Sequence, residues 1–330
     1  MMSEHRVLLI GHGAISHRYL KAFEGLKNVE VVGVVGRNLD RASAYAKLQG
    51  IPSAYTDIRQ AAEQAKATAV VICTPNAAHE EAVMTAAKLG LHCLCEKPLH
   101  IHPMKQLEMV RSCREQGVKL AVSYMRRFST HIQLVKSLVE RGSLGQIKVI
   151  DVTLKHYREP AYYSGWHGTY EIDGGGPFIQ QGSHMIDLAL WIGGDYQEVL
   201  SANLFQAVHE IETEDHGYAV IAYKSGAIGM IEASTACKGF GRESIEISGT
   251  KGTIALDFNG IKHFQVDGLE QPEFMDGDPS VDVLFRLLAE DFIHSIEEDT
   301  QPYVDGASAL GAVELVHAIY QKAGKPVSLN

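Results

Sequence analysis

The chain is predicted to be an α/β protein in two parts. The first is a doubly wound parallel sheet with helices on both faces. The second is an α/β domain built on a large, mostly antiparallel sheet. Up to about residue 125, short aliphatic runs alternate with amphipathic stretches of helical length, which is the pattern of βαβ units. Beyond that point, short runs with one polar face follow one another across glycine turns, as in antiparallel sheets. A length of 330 residues leaves room for about two domains.

Residues 7–10 form the first apolar run, followed by a glycine turn and a helical stretch over 14–26. The β-branched run Val29–Val35 precedes a helix over Leu39–Gln49. Runs at 69–73, 91–95 and 119–123 are the remaining strands of this half, with helices over 79–89 and 104–116 between them. The texture changes near 124–128, so the expected domains are 1–125 and 126–330. In the second, a helix over 132–140 leads to a strand at 147–154, a loop rich in glycine and aromatics, and a helix over 177–191. Strands are expected at 199–208, 218–223, 227–234, 244–248 and 252–258, and helices at 283–297 and 307–322.

Composition excludes several classes. Hydrophobic residues at 45% and charged residues at 21% are globular values, not those of a disordered or fibrous chain. No apolar stretch reaches the ~18 residues of a membrane span, and no secretory leader is expected, since the run at 7–10 is too short for one and no small-residue cleavage site follows it. Cys73, Cys93, Cys95, Cys113 and Cys237 are odd in number and suit free thiols in a reducing cytoplasm. Residues 1–125 carry 15 basic and 11 acidic side chains, the remainder 15 and 29. So acidic a second half argues against nucleic acid as a partner. The acidic run with His209, Glu210, Glu212, Glu214, Asp215 and His216 reads as a solvated edge, and no metal is expected.

The first strand runs into Gly11-His12-Gly13-Ala14-Ile15-Ser16. Glycines there permit a tight turn and close backbone approach to a pyrophosphate, and the next helix presents unpaired N–H groups and a positive dipole. At the end of the second strand, Gly36-Arg37-Asn38 offers no carboxylate for a ribose. Arg37 can instead pair with a phosphate, which favours NADP over NAD. Thr74-Pro75-Asn76 with His79, and Glu96-Lys97-Pro98, follow the next strands and face the same crevice.

With Gly174-Gly175-Gly176 leading to Gly182-Ser183-His184-Met185-Ile186-Asp187, these segments resemble the glucose–fructose oxidoreductase/inositol dehydrogenase (Gfo/Idh/MocA) family. The resemblance covers essentially the whole chain. It implies an N-terminal Rossmann domain that binds NAD(P), and a C-terminal domain whose open sheet supports the substrate site and an oligomer interface. A homo-oligomer, dimer or tetramer, follows from it. So does oxidation or reduction at a sugar or cyclitol carbon, with Lys97 and His184 as catalytic groups. The expected cofactor-binding residues are Gly11, His12, Gly13, Ala14, Ile15, Arg37, Thr74, Pro75, Asn76, His79, Glu96 and Lys97.

Oxidising a secondary alcohol needs a base for its proton and a positive charge to stabilise alkoxide. Histidine suits the first role and Lys97 the second. In a helix over 177–191, Gln180, His184 and Asp187 share one face. Inositol dehydrogenase-like relatives carry Asp where this chain has Gln180, and an amide cannot accept the alcohol proton. Asp187 is expected to make structural hydrogen bonds. Around Tyr162-Tyr163-Ser164-Gly165-Trp166-His167-Gly168-Thr169, the chain is similar to a W-R-G-T segment of the family, with His167 in place of Arg. Its aromatics either stack on a sugar or fill a small core. Arg127, Trp166, His167 and Gln180 complete the expected substrate contacts with Lys97 and His184. Two other readings stay open: transient oxidation that cleaves a glycoside without net change in NAD(P)H, and a catalytically silent nucleotide sensor.

Overall fold

The computed structural model describes residues 5–272 and 280–329; the leader reading at residues 1–4 lies outside them. In chain order the elements are β1 (His5–Ile10), α1 (Ser16–Phe23), β2 (Val29–Val35), α2 (Leu39–Gln49), β3 (Ala54–Tyr55), α3 (Ile58–Ala65), β4 (Ala69–Ile72), α4 (His79–Lys88), β5 (His92–Cys95), α5 (Pro103–Glu115) and β6 (Leu120–Val122). Then come α6 (Thr130–Glu140), β7 (Ile147–Lys155), α7 (Gly182–Gly193), β8 (Tyr196–Gln206), β9 (His216–Tyr223), β10 (Ile228–Ser234), β11 (Arg242–Gly249), β12 (Gly252–Asp257), β13 (Gly260–Val266), α8 (Val281–Glu297), α9 (Gly311–Ala323) and β14 (Val327–Ser328). The chain separates into two compact units, residues 1–125 with 279–310 and residues 126–278 with 311–330.

In the first unit six parallel strands lie in the order β3-β2-β1-β4-β5-β6. The strand order therefore reverses beside β1 and β4. Val7–Leu9, Val70–Ile72 and Cys93–Cys95 are all but excluded from solvent, as expected of strands covered on both faces. Two of the helices have side-chain caps: Asn38 Oδ1 accepts from the Arg41 N–H at 2.9 Å, and Asp57 Oδ1 from the Gln60 N–H at 2.8 Å. The short β3 and helix α3 were not expected, because a two-residue strand has no readable alternation.

The segment 279–310, expected with the second domain, belongs to this first unit. Helix α8 turns Leu284, Phe285, Leu288 and Phe292 inward, and Phe285 meets Tyr19 of α1 edge-on at 5.1 Å. Further along, the Val122 N–H donates to Val304 O and the Gly306 N–H to Leu120 O. An amphipathic helix reads the same in sequence whichever sheet its apolar stripe meets.

In the second unit eight strands run β13-β12-β11-β7-β10-β9-β8-β14. Neighbours are antiparallel except β7 with β10 and β8 with β14. One face is buried through Ile150, Val152, Ile221, Ile231, Ile245 and Ile247, alternating with outward residues.

The helix expected over 177–191 begins only at Gly182. Residues 177–181 are turns, with the Gln180 N–H on Gly176 O and the Gly182 N–H on Pro177 O. The preceding glycines are sterically required. A Cβ on Gly175, at φ +146°, would fall 2.0 Å from the Tyr320 hydroxyl, and one on Gly176 1.9 Å from Glu214 O. Glu214 is fully enclosed; its Oε1 accepts from the Tyr320 hydroxyl at 2.8 Å and from the Gly176 N–H at 3.1 Å. The run from His209 to His216 is thus not a solvated edge, since His209, Glu214 and Asp215 are all buried. The Ala207, Val208 and His209 N–H groups all donate to the carboxylate of Asp215.

Burial raises the Glu214 pKa from 4.5 to about 7, against the lowering effect of its Tyr320 and backbone donors. Between those values the folded chain keeps a proton that the unfolded chain has released. This group therefore makes stability fall as pH rises through that window, by on the order of 3 kcal/mol. Glu214→Gln keeps the acceptor and removes the titration. Thermal melts from pH 4.5 to 7 are expected to show a smaller loss of Tm in the variant than in the wild type. Equal slopes would contradict this account of Glu214.

Candidate functional site

At the carboxyl edge of the first sheet, β1 ends in Gly11 at φ +90°, whose N–H donates to Val35 O at 2.8 Å. A Cβ there would sit 2.9 Å from Cys73 O, so only glycine lets the ends of β1 and β4 come so close. Gly13 and Ala14 are exposed, and a Cβ on Gly13 would meet nothing within 4 Å. The turn thus leaves open space at the start of α1, as a phosphate cradle requires. Ser16, in the third position of the glycine pattern, is fully buried and keeps the turn tight. Its Oγ donates to Gly13 O at 2.7 Å and shares a hydrogen bond with the Tyr45 hydroxyl, also at 2.7 Å. The His12 ring stacks on Tyr45 at 5.5 Å and packs against Gly36, where a Cβ would fall 2.7 Å from its Nε2. Ile15 is half-buried beside it, and Arg37 is exposed at the end of β2.

Thr74, Pro75 and Asn76 follow β4, the first two half-buried and Asn76 buried. His79, expected among the cofactor contacts, is enclosed instead. Its Nδ1 lies 3.0 Å from Pro98 O and its Nε2 2.9 Å from Thr74 O. Burial is the main reason its pKa falls to about 4. A neutral ring has one N–H, so it donates to only one of these two carbonyls at a time and packs enclosed between the loops after β4 and β5. Glu96 is likewise turned inward: its Oε1 accepts from the Tyr19 hydroxyl at 2.5 Å and its Oε2 from the Lys97 N–H at 3.1 Å. Burial raises its pKa, while Tyr19 and the Lys97 charge lower it. Glu96 thereby fixes the backbone at Lys97, whose side chain is half-buried at the strand end.

In the second unit, Arg127 corrects the expectation of a substrate contact. It is 3% exposed and forms a bidentate pair with Asp187, Nε to Oδ2 at 2.9 Å and Nη2 to Oδ1 at 2.6 Å. Burial raises the Asp187 pKa and the guanidinium pulls it down. The pair locks the segment before α6 to α7, one turn from His184. The His184 ring is half-buried and meets Phe258 edge-on at 6.3 Å, and Phe258 lies beneath Arg126 at 4.2 Å.

Gln180 also departs from its expected place. It is buried in the turn before α7, and its amide donates to Asp173 Oδ2 and to Gly175 O. The rings of the aromatic loop pack on one another, Tyr162 on Tyr163 and on His167, and Trp166 on His167. Tyr163 packs inward against His209 at 4.9 Å and donates to Thr235 Oγ1 at 2.8 Å. Tyr162, Trp166 and His167 are half-buried. Tyr45, Tyr19 and Asp173 are the residues that motif spacing missed; each acts through a partner distant in sequence or outside any motif.

Residues 5–124 match the family model described as oxidoreductase family, NAD-binding Rossmann fold. Residues 132–255 match that of the GFO/IDH/MocA C-terminal domain. The chain is 29% identical over 248 residues to D-glucoside 3-dehydrogenase of Escherichia coli (strain K12), 70% of either chain. It is 26% identical over 322 residues to inositol 2-dehydrogenase of Rhizobium meliloti (strain 1021), 94% of either chain. The WlbA dehydrogenase from Bordetella pertussis, solved in complex with NADH and UDP-GlcNAcA, superposes with a TM-score of 0.86 at 28% identity. That match covers 97% of this chain and 95% of the other.

Proposed function

This chain belongs to the GFO/IDH/MocA oxidoreductase family, and we propose that it moves hydride between a nicotinamide cofactor and a secondary alcohol or ketone of a sugar, sugar derivative or cyclitol. The reading is carried by the reversal of strand order at β1 and β4, where Gly11 and Thr74 end adjacent strands and Lys97 follows the next. Ligands of doubly wound sheets bind outside such carboxyl ends. The substrate class is supported by the glucoside and inositol dehydrogenases among its relatives.

A bound dinucleotide supplies the hydride acceptor or donor at its nicotinamide ring. The turn of Gly11, His12, Gly13, Ala14 and Ile15, with the α1 N-terminus, takes the pyrophosphate, and Thr74, Pro75 and Asn76 border the nicotinamide half. The Lys97 ammonium hydrogen-bonds the reacting oxygen and stabilises the negative charge that develops there. His184 takes the hydroxyl proton during oxidation and returns it during reduction. Trp166 and His167 border the sugar. Glu96, His79, Arg127 and Gln180 hold these groups in place from beneath. Residues 1–125 thus serve the dinucleotide, and the second unit serves the substrate.

Arg37 is read as a partner for a 2′-phosphate, since no carboxylate lies between it and Asp40. NADP(H) is therefore the favoured cofactor. NAD(H) is the second reading, favoured by the NADH in the Bordetella pertussis structure. A homo-oligomer is supported by the outer face of the second sheet, where Val149, Leu200, Tyr218, Ile228 and Met230 are exposed. Four of the five free cysteines are buried, which suits a reducing cytoplasm. Among the described residues no helix is long and apolar enough to cross a membrane.

Lys97→Ala and His184→Ala are each expected to cut turnover by at least about 10²-fold, with dinucleotide affinity retained in fluorescence titration. Undiminished turnover in both would remove the mechanism. Arg37→Asp is expected to weaken NADP(H) binding by more than about tenfold and spare NAD(H); equal affinities before and after would reverse the cofactor assignment. Sedimentation is expected to give a dimer or tetramer, and a monomer would strip the sheet face of its role.

A further inference from the structure

The inward turn of Gln180 leaves an acid–imidazole arrangement that neither the dinucleotide turn nor His184 uses. Three nitrogens converge on one oxygen, Oδ2 of Asp173: His167 Nδ1 at 3.2 Å, the Gly168 N–H at 3.0 Å, and the Gln180 amide Nε2. The backbone N–H and the carboxamide N–H only donate, and a carboxylate only accepts. Oδ2 is therefore an acceptor, and the proton between the ring and the acid sits on Nδ1. In a neutral imidazole so protonated, Nε2 carries the lone pair.

The ring is held firmly in that orientation. Tyr162 stacks on it at 4.1 Å with planes 11° apart, and Trp166 lies against it at 3.9 Å. The Asp173 side chain is 2% exposed and that of His167 is 26% exposed. Among the described residues, no hydrogen bond takes the His167 Nε2. The open edge of the ring is thus a fixed acceptor beside the flat apolar surface of Trp166.

We propose that Asp173 is a positioning residue that fixes His167 as the Nδ1–H tautomer, so that Nε2 accepts a hydrogen bond from a hydroxyl of a sugar ring lying on Trp166. The proposal rests on the sugar oxidoreductase reading above and narrows its substrate class. A substituent with an O–H to donate is accepted at this position. A carboxylate or phosphate is disfavoured there, because it has no proton to give to a lone pair and faces the charge of Asp173 behind the ring. A side chain that both accepts and donates would make no such choice; a tautomer locked from behind does.

Two measurements test this. The first is a nitrogen–proton correlation spectrum of histidine-labelled protein at mildly alkaline pH, with the His167 signals identified by their loss in His167→Gln. Nδ1 protonated and Nε2 bare is the expected pattern, and the reverse overturns the proposal. The second is the kinetics of Asp173→Ala, which removes the acceptor from the Nδ1 side of the ring and leaves the tautomer free. KM for the sugar that the wild type oxidises is expected to rise about tenfold, the worth of one net hydrogen bond. Turnover and dinucleotide affinity are expected to stay within about threefold. A fall in kcat at constant KM, or no change in either, overturns the assignment. Should Asp173→Ala fail to fold, His167→Phe preserves the stack on Tyr162 and deletes Nε2; it must raise KM in the same way, and an unchanged KM overturns the proposal. A wild type that oxidises no sugar or polyol refutes the parent reading, and the nitrogen spectrum still decides the tautomer.

Discussion

A carboxylate taken out of water must be given donors or it will not stay charged. Among the described residues, five acids are buried: Glu96, Asp173, Asp187, Glu214 and Asp215. Each gathers its donors from loops or helices around it, and for Glu96, Asp173 and Asp187 those donors belong to or adjoin a candidate site residue. Glu96 takes the Tyr19 hydroxyl and the Lys97 N–H. Asp173 takes His167, Gly168 and Gln180. Asp187 takes the Arg127 guanidinium, Glu214 the Gly176 N–H and the Tyr320 hydroxyl, and Asp215 three successive N–H groups of the loop after β8. The penalty for leaving any of these acids unserved makes the loop conformations around them specific.

The same constraint explains how conformationally free segments become rigid. Gly174, Gly175 and Gly176 would lose much backbone entropy on ordering, yet they set the entry of the chain into α7. Tyr320 and Glu214 fill the space that side chains at 175 and 176 would need. Behind α7, the Arg127–Asp187 pair is 3% exposed on both sides. Deleting one member of such a pair typically costs ~3–5 kcal/mol, because the other is left charged and alone. His184 rides on a helix pinned from two directions, and its aromatic contact with Phe258 limits the ring further. Hydride transfer tolerates little misplacement of the proton acceptor, so this investment in fixing α7 matches the proposed chemistry.

Much of the fold was legible in the sequence. The parallel sheet announced itself through continuous apolar runs between helical patterns, and the second sheet through alternation across glycine turns. Short or weakly patterned pieces were not legible: β3 and β14 have two residues each, α3 buries only alanines, and β13 alternates weakly. At the site, Gly11 was legible because one of its requirements is local, a positive φ at a strand end, while its close approach to Cys73 O is not. The roles of Arg127, His79 and Gln180 were not, because a polar side chain in a loop reads the same whether it meets a ligand or a buried partner. The acidic stretch ending at His216 shows this failure most clearly, since its charges suggested solvent and its acids proved to be enclosed.

Residue order alone determined what depends on neighbours along the chain: the strand–turn–helix of the glycine cradle, the placement of Lys97 after a buried strand, and the family to which these segments belong. Only the tertiary structure decided what depends on partners distant in sequence. It assigned residues 279–310 to the first unit through the apolar stripe of α8, turned Arg127 toward Asp187, and brought Asp173, His167 and Gln180 onto one oxygen. The physical reason is that backbone geometry is set within a few residues. Which polar group satisfies a buried charge is settled only when the chain has closed around it.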